Sequence, residues 1–427
     1  MDSKVRVQQA DRDQFRLEAI DIDGLVPRDH QVRAVWAFVQ GLDLLALHAQ
    51  IRAREGHPGR PPIDPAILFC LWLYATLEGT GSARAVERLA EYHHAYRWIC
   101  GGVSVNHHTL ADFRVEHGEF LDELLTRSVA ALLQAGAADL EEIAQDGLRT
   151  RAGAGSSSFR RRDTLERKLE EARARVAQLK GEVSSDPAAS GRRRRAAEER
   201  AARQSEERAR AALDHLEKIE RRREEQRKKY KGRVEKQKEP RTSLTDPEAR
   251  IIKMSDGGYR PAYNFQIAME TRCGAVVGVE PTNESSDKHR IAPMLAQIRR
   301  RFGRTPLRWL ADAGFSASQD IEHLAAVDEA GIEAFVPLPA GRGGPAYSRQ
   351  PRVGPAIVAW RERMESERGK AIYKRRSLIE WVNAGMRNRG LTLLTVRGKR
   401  KVGAVLLWQA LAHNFLCLRR TGTSIAA

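Results

Sequence analysis

Apolar residues recur every three or four positions along a charged segment in the middle of the chain. The first series consists of Leu165, Leu169, Ala172, Val176, Leu179 and Val183. The stretch SSDPAASG at 184–191 interrupts it, and the second series consists of Ala202, Ala209, Ala212, Leu216 and Ile219. Alternating spacings of three and four residues are typical of a coiled-coil seam. Residues 156–240 are therefore predicted to form an antiparallel helical hairpin that projects from the body of the protein.

The N-terminal part of the chain also has helical spacing and few strand signals. The apolar run AILFCLWLYATL at 66–77 follows Asp64 and Pro65, residue types that favour the N-cap and the first position of a helix. The run is too short to cross a bilayer, so we expect a buried helix.

Two further helical patterns flank the glycine pair at 101–102 and carry several arginines. Two helices joined by a short glycine-containing turn resemble a DNA-binding helical module, so Arg84 and Arg114 are candidate DNA contacts. The spacing is loose, and a helical bundle with surface arginines explains the segment equally well. We predict a helical N-terminal domain over residues 1–138, with DNA binding as its candidate role.

Strand signals begin at residue 139 and return after residue 240. Residues 139–155 are predicted to be the first strand of an α/β domain, with Asp146-Gly147 at a turn that ends the strand. In segment 241–427, YNFQIAMETRCGAVVGVEPTN has the alternation of a β-hairpin, and helices then alternate with strands, one of which ends at Asp312. This order predicts a mixed sheet flanked by helices and interrupted by the inserted helical hairpin.

Composition and charge point to a polyanionic partner. The 427 residues include 73 Lys and Arg against 56 Asp and Glu, a formal net charge of +17. This excess favours nucleic acid or an anionic membrane surface, although a soluble protein with a charged surface is compatible with it. The charged N-terminal segment lacks the apolar run of a signal sequence, and the four cysteines show no CxxC pairing. We therefore expect a cytoplasmic protein without a structural zinc site.

Three carboxylates stand out by position, because Asp146 and Asp312 follow apolar strand segments and Glu380 lies on a later helix. In open α/β sheets, functional groups gather at the carboxyl ends of strands. Oxygen ligands without His or Cys suit Mg²⁺ or Mn²⁺, and three converging carboxylates would repel one another without a cation. Other acids are interpreted as turn residues or as acids at helix N-termini: Asp256, Asp287, Asp320 and Glu322.

The segment around Glu380 gathers polar residues on one side of its predicted helix. On a continuous helix four side chains fall within about 60° of one another, beside an apolar stripe: Tyr373, Arg376, Glu380 and Arg387. Lys374 and Arg375 point away from this group and are assigned to the surface. An exposed pair of Arg376 and Glu380 contributes only about 0.5 kcal/mol, so a surface ion pair remains an alternative to a functional cluster.

The spacing of these four residues resembles the Y-x2-R-x3-E-x6-R signature of the DDE transposases of bacterial insertion sequences, in their ribonuclease H-like branch. IAQDGLRTRAGAGSSSFRR and WLADAGFS resemble the first and second aspartate motifs of that family, and YNFQIA and the helical region ending in HHTLADFR are also similar. The resemblance covers nearly the whole chain, with its motifs in the expected order. The long charged hairpin between the two aspartates departs from the family pattern, and its role stays open.

The resemblance implies a catalytic triad of Asp146, Asp312 and Glu380 that binds two Mg²⁺ or Mn²⁺ ions. Two such ions stabilise the attacking and leaving oxygens of an in-line phosphoryl displacement. It also implies that Arg376, Arg387 and the Tyr373 hydroxyl hold DNA phosphates. No covalent protein–DNA intermediate is needed, so Tyr373 is assigned to DNA contact and not to nucleophilic attack.

By this resemblance the protein is a transposase that binds double-stranded DNA at the inverted-repeat ends of its element, cleaves it and joins it to target DNA, as a homodimer and without a membrane partner. Two alternatives remain. A metal-dependent nuclease of the same fold would cut without strand transfer, and a non-enzymatic DNA-binding assembly protein would not need the three carboxylates at all.

Overall fold

The computed structural model describes residues 21–51, 61–185, 192–229, 239–338 and 354–425, and the statements below refer to these residues. The N-terminal region contains seven helices: α1 (Gln31–Gln40), α2 (Leu45–Ala49), α3 (Pro65–Leu77), α4 (Ala83–Tyr92), α5 (His94–Cys100), α6 (His107–Glu116) and α7 (Gly118–Gln134). Helix α3 is the predicted buried helix, and the Asp64 carboxylate caps it by accepting a hydrogen bond from the Ala66 N–H at 2.8 Å. The sequence predicted two helices around the glycine pair, but the structure has four, α4 to α7. Each predicted helix is divided because the backbone leaves helical geometry at His93 and at His117.

The central charged segment forms the predicted helical hairpin, with α8 (Arg162–Ser185) packed along α9 (Arg192–Lys229). Leu165 near the start of α8 packs against Leu216 late in α9, whereas Leu179 packs against Ala202. The pairing of early with late residues makes the two helices antiparallel. The apolar residues predicted to form a seam therefore lie between the two helices and hold the hairpin together.

Eight strands are present: β1 (Glu142–Arg151), β2 (Phe159–Arg160), β3 (Thr242–Ser243), β4 (Arg250–Lys253), β5 (Tyr259–Glu270), β6 (Val276–Thr282), β7 (Arg308–Ala311) and β8 (Glu333–Phe335). β2 and β3 pair as a short ribbon at the base of the hairpin. The other six form one mixed sheet in which β5 pairs antiparallel with β1 on one side and with β4 and β6 on the other. β7 and β8 extend the sheet parallel to β1, so the predicted mixed sheet is confirmed.

Six helices complete the C-terminal part: α10 (Ile291–Phe302), α11 (Ser318–Ala325), α12 (Pro355–Glu365), α13 (Glu367–Tyr373), α14 (Leu378–Asn388) and α15 (Lys399–Thr421). Alternate residues of the central strands face two hydrophobic cores. Leu148 and Phe265 face the larger core, which includes the N-terminal helices, α14 and α15. Ile143 and Ala268 face the smaller core under α10, α11 and α12. The N-terminal helices and the sheet therefore share one core.

Helix α15 passes through the larger core, where Trp408 packs against Phe69 with ring centroids 4.7 Å apart. Among the described residues, α15 is the one helix whose length and composition would suffice to cross a membrane. However, 72% of its apolar window is buried inside the protein. Its apolar character is accounted for by packing against α7, β6, α3 and α6.

Candidate active site

Asp146 and Asp312 lie next to each other because β1 and β7 run parallel and in register. Residues 142–145 pair with residues 308–311, so an aspartate follows this ladder on each strand. β7 ends there, whereas β1 continues to Arg151 and places Asp146 in mid-strand. The expectation that Asp146 ends its strand is therefore wrong, since only the parallel ladder ends at this point. Beyond the end of β7 a space is left beside β1, and we call this space the notch. It is bordered by Asp146, Gly147, Asp312 and Gly314.

The carboxylate of Asp146 is fixed by two hydrogen bonds. Its Oδ1 accepts the N–H of Gly147 at 2.8 Å, and its Oδ2 accepts an N–H of the Asn383 side-chain amide at 2.8 Å. Burial raises the pKa of Asp146 to about 6, the Gly147 hydrogen bond opposes this shift, and the nearby charge of Asp312 adds to it. The charged form of Asp146 is therefore costly unless a cation is close.

Asp312 leads out of β7 into a tight turn. Its Oδ1 accepts the N–H of Gly314 at 2.8 Å and so caps the short 3₁₀ turn Ala313–Phe315. The sequence ADAG thus positions the carboxylate locally, at the point where the strand gives way to the turn.

The signature segment is not one continuous helix. α13 ends at Tyr373, a 3₁₀ turn covers Lys374–Ser377, and α14 begins at Leu378. A 3₁₀ turn advances about 120° per residue, so the angles computed for an unbroken α-helix do not apply across it. The expectation of a single helix from 373 to 387 is wrong, and Arg387 lies exposed in the last turn of α14.

Arg376 nevertheless joins three members of the predicted site. Its guanidinium carbon lies 5.9 Å from the centroid of the Tyr373 ring, and its Nη2 donates to Glu380 Oε1 at 2.6 Å. Burial disfavours the charge of Arg376, but Tyr373, Asp146 and Glu380 together raise its pKa above the ordinary value. Burial likewise raises the pKa of the Tyr373 hydroxyl, against the effect of Arg376. Arg376 therefore connects Glu380 electrostatically with Asp146.

Glu380 does not join the two aspartates directly in this arrangement. Its side chain is 58% exposed and paired with Arg376, whose side chain is 17% exposed. Among the described residues, no three His, Cys, Asp or Glu side chains are arranged to hold a metal ion as they stand. Completing the predicted triad therefore requires Glu380 to leave Arg376.

Asn383 was not among the residues predicted from sequence, although it contacts Asp146. It is buried in α14, three residues after Glu380, and therefore lies on the same side of the helix one turn further on. This spacing was the only signal available, because an asparagine carries no charge that would single it out.

Arg375 is exposed at the surface, as predicted, but it also makes a contact that the sequence did not indicate. Its guanidinium pairs with the carboxylate of Glu142, a buried residue of β1. Arg308 of β7 lies 3.6 Å from the same carboxylate. The pair ties the 3₁₀ turn to the strand that carries Asp146, and so helps to place Arg376 at the notch.

Asp287 also lies at the notch, and it begins a turn, one of the two roles predicted from the sequence, since its carbonyl accepts the Arg290 N–H at 3.3 Å. Its Oδ1 accepts hydrogen bonds from the side-chain amides of Asn264 and Gln266, each at 2.7 Å. Helix α10 begins later, after Arg290, and no side chain caps it. Asp256, in contrast, is an exposed turn residue that pairs with Arg260, as expected.

The two N-terminal arginines differ in accessibility. Arg84 is exposed on α4 and stays a predicted DNA contact. Arg114 is only 7% exposed, lies over the Trp72 ring at 4.6 Å and donates to the Gly81 carbonyl at 2.5 Å. Burial lowers the pKa of Arg114 to about 10. The expectation that Arg114 contacts DNA is therefore wrong, because its guanidinium is enclosed by the protein.

Comparison with known proteins bears on both parts of the chain. The family described as a transposase domain (DUF772) matches residues 20–116, and the family described as a transposase DDE domain matches residues 233–415. The second match includes Asp312 and the four signature positions, whereas Asp146 and the helical hairpin lie between the two matches. No curated protein and no solved structure gives a significant match. The two family matches, in the order expected along the chain, identify it as a member of the DDE transposases of insertion sequences.

Proposed function

We propose that this transposase binds the ends of its insertion sequence and catalyses metal-dependent cleavage and strand transfer, with Asp146, Asp312 and Glu380 as its catalytic carboxylates. The observation that carries the proposal is the register of β1 and β7, which sets two aspartates side by side at the end of a parallel ladder. The sheet order β6-β5-β1-β7-β8, with the last three strands parallel, supports a ribonuclease H-like fold.

The residues at the notch fit a hard divalent cation. Asp146 and Asp312 offer carboxylate oxygens, and within the described part of the chain the buried amide oxygens of Asn264 and Asn383 have no hydrogen-bond partner. An all-oxygen set of this kind suits Mg²⁺ or Mn²⁺. When bound, two such ions stabilise the attacking and leaving oxygens of an in-line displacement at phosphorus.

Arg376 controls the access of Glu380 to this site. In the DNA-free protein its guanidinium neutralises Glu380 at 2.6 Å. A DNA phosphate that enters the notch offers the planar guanidinium two oxygens at once, which makes it a strong competitor for Arg376. Once Arg376 turns to the phosphate, the carboxylate of Glu380 is free to face Asp146. The carboxylate set is then completed only when substrate is in place.

Tyr373 and Arg387 hold DNA on either side of this point. The Tyr373 hydroxyl is half-buried beside Arg376 and keeps its proton, since burial raises its pKa. It donates a hydrogen bond to a phosphate oxygen and does not attack phosphorus. Arg387, exposed at the end of α14, contacts the backbone further from the cleavage point.

The helical hairpin extends the DNA-binding surface away from the notch. At its base, Arg222 of α9 pairs with Glu284 at 3.3 Å, in the loop that leads to Asp287. The side chain of Arg222 remains 71% exposed, next to Arg221 and Arg223. A basic segment anchored this close to the site is placed to bind phosphates of the same duplex.

A joining assay tests the proposal. The protein is incubated with Mg²⁺, a supercoiled target plasmid and labelled DNA that contains the sequences flanking its own coding region. We expect nicked or excised ends and a labelled joined product, both lost in Asp146→Asn, Asp312→Asn and Glu380→Gln while binding to the ends is retained. Cleavage without joining would assign the protein to the nucleases. Full turnover in any of the three variants would remove that residue from the proposed triad.

A further inference from the structure

Asp287 reaches the notch from the loop between β6 and α10. A Cβ atom added to Gly147 would lie 2.5 Å from Asp287 Oδ1, and one added to Gly314 would lie 3.3 Å from Asp287 Oδ2. The Asp287 carboxylate therefore lies between Gly147 of β1 and the 3₁₀ turn that Asp312 caps. Glycine at both positions leaves the space that this close approach requires.

The same contacts bring Asp287 close to Asp312. Asp312 Oδ1 would lie 2.8 Å from the added Cβ of Gly314, and Asp287 Oδ2 would lie 3.3 Å from the same point. The distance between Asp312 Oδ1 and Asp287 Oδ2 therefore cannot exceed the sum of these two distances. Asp287 also contributes to the charge that raises the pKa of Asp146, so three carboxylates lie near one another at the notch, although they are not arranged around a metal ion as they stand. Convergence of this kind is unfavourable without a cation.

The side chain of Asp287 is held in place by neighbours that leave one oxygen available. The amides of Asn264 and Gln266, both on the buried strand β5, donate to Oδ1. Among the described residues, the cationic group paired with Oδ2 is Arg149, whose Nη2 is 4.0 Å away and also donates to the Ser285 carbonyl. Fixed outer partners of this kind orient a carboxylate for metal binding.

A buried amide oxygen at the same place gives independent support. Asn264 is 0% exposed, and its Oδ1 has no hydrogen-bond partner among the residues that the structure describes. This oxygen would lie 3.1 Å from the added Cβ of Gly147, on the side where Asp287 Oδ1 also lies. Leaving a buried acceptor unpaired costs about 1–3 kcal/mol, so its position points to a ligand in the notch.

We propose that Asp287 is a direct ligand of the divalent metal site, together with Asp146 and Asp312. The inference rests on the proposed function and adds a fourth carboxylate to it. Asn264 and Gln266 alternate along β5 with Tyr263 and Phe265, which face the core under α14. Asp287 therefore approaches from the face of the sheet opposite α14. Because the three aspartate side chains are not arranged around a metal ion as they stand, they adjust when the ion binds to the DNA-free protein, while Glu380 is still paired with Arg376.

Direct titration of the DNA-free protein with Mn²⁺ tests this, by calorimetry and by the electron paramagnetic resonance signal of free Mn²⁺. We expect Asp287→Asn, like Asp146→Asn and Asp312→Asn, to weaken Mn²⁺ binding at least tenfold. Asp256→Asn is the matched control, because it removes the same charge from an exposed turn of the same sheet. It should bind Mn²⁺ like the wild type.

A thiolate in place of the carboxylate separates a ligand from a residue that acts only through its neighbours. Asp287→Cys should give a cadmium–thiolate absorption band on addition of Cd²⁺, because soft metals bind thiolate. The four native cysteines are buried, and the wild type and Asp256→Cys supply the background. Thermal unfolding without metal checks that each variant is folded.

The outcomes separate the two proposals. If Asp287→Asn binds Mn²⁺ with wild-type affinity, or if a folded Asp287→Cys gives no cadmium band, Asp287 is not a metal ligand. In that case weaker Mn²⁺ binding by Asp146→Asn and Asp312→Asn would still support the metal site of the proposed function. Unchanged Mn²⁺ binding in all three aspartate variants, or no saturable Mn²⁺ binding by the wild type, would remove the metal site from the notch altogether, and the role of Asp287 with it.

Discussion

Asn383 donates a hydrogen bond to Asp146 at 2.8 Å and so connects α14 with β1 across the candidate active site. The other end of the amide, Asn383 Oδ1, is buried without a hydrogen-bond partner. The signature helix is therefore held against the first aspartate by an uncharged residue, whereas its carboxylate, Glu380, is paired with Arg376.

We expect Asn383→Ala to lower the rate of DNA cleavage about 10- to 100-fold, because partners that orient a metal-binding carboxylate contribute effects of this size. Single-turnover cleavage of end DNA measures this change. Asn388→Ala is the control, since Asn388 is exposed at the end of the same helix. Equal rates for the two variants would show that the contact does not matter for the reaction.

Arg376→Ala is expected to have opposite effects on metal and on DNA. Loss of the guanidinium removes a positive charge near Asp146 and frees Glu380, so the DNA-free variant should bind Mn²⁺ a few-fold more tightly. Binding and cleavage of end DNA should fall together. Calorimetric titration and gel-shift assays measure the two effects, with Lys374→Ala as an exposed control on the same turn. Weaker Mn²⁺ binding in Arg376→Ala would contradict the proposed exchange of partners.

Arg84 and Arg114 should respond differently to alanine. Arg84→Ala should leave stability unchanged and reduce the salt dependence of DNA binding by about one unit of log–log slope. Arg114→Ala should destabilise the fold by about 2 kcal/mol or more, because it removes a buried side chain that donates to the Gly81 carbonyl and packs over the Trp72 ring. Urea unfolding and binding isotherms at several salt concentrations distinguish these outcomes.

Asn414 joins α15 to the sheet and to α7. Its side chain accepts the Val276 N–H at 2.8 Å and donates to the Val276 carbonyl and to Ser128 Oγ. Asn414→Ala removes all three of these buried hydrogen bonds, although Ser128 Oγ still donates to the Leu125 carbonyl, and we expect a loss of about 2–4 kcal/mol in the free energy of unfolding. Urea denaturation measures it. A loss below about 0.5 kcal/mol would mean that the network is dispensable.

His413 should make the protein sensitive to mild acid. Burial lowers its pKa to about 4, and its Nε2 lies 2.8 Å from the Gly274 carbonyl, with the cationic Arg389 and Arg420 nearby. The unfolded chain takes up a proton near pH 6.5, whereas the folded protein does so only near pH 4, so this contribution to stability is present at neutral pH and is lost as the pH falls. Between pH 7.5 and pH 5 the loss is about 2 kcal/mol.

His413→Gln keeps an N–H donor for Gly274 but does not titrate. The wild type should therefore lose about 2 kcal/mol more stability than this variant over the same pH interval. Urea unfolding at the two pH values provides the comparison. Parallel pH profiles for the two proteins would contradict the assignment.

Much of the fold could be predicted because its signals are local. The heptad seam of the hairpin repeats within a few residues, and α3 begins where Asp64 and Pro65 predict it. The β5–β6 hairpin and the strand before Asp312 are also encoded in short stretches. Such patterns depend on backbone geometry and on one buried face, which neighbouring residues determine together.

The site could be predicted only in part. The positions of Asp146, Asp312 and Glu380 stand out in the sequence, and their catalytic roles stay a prediction. The 3₁₀ turn before α14, the exposed position of Glu380 and the burial of Arg114 did not follow from the same reasoning. The 3₁₀ turn is tied through Arg375 to Glu142, far away along the chain, and Arg114 is enclosed by Trp72 and Gly81. Glu380, in contrast, pairs with Arg376 only one turn away.

The sequence by itself determined the family and the alternation of helices and strands, and it singled out Asp146, Asp312 and Glu380 as candidate carboxylates. The tertiary structure alone decided which polar groups meet at the notch. Asn383 and Asp287 are uninformative in sequence, since one is uncharged and the other is an ordinary loop acid. They reach the notch because the end of β7 opens a space that side chains from both faces of the sheet can fill. A spatial relationship of this kind depends on strand register and on glycine at 147 and 314, and no local pattern encodes it.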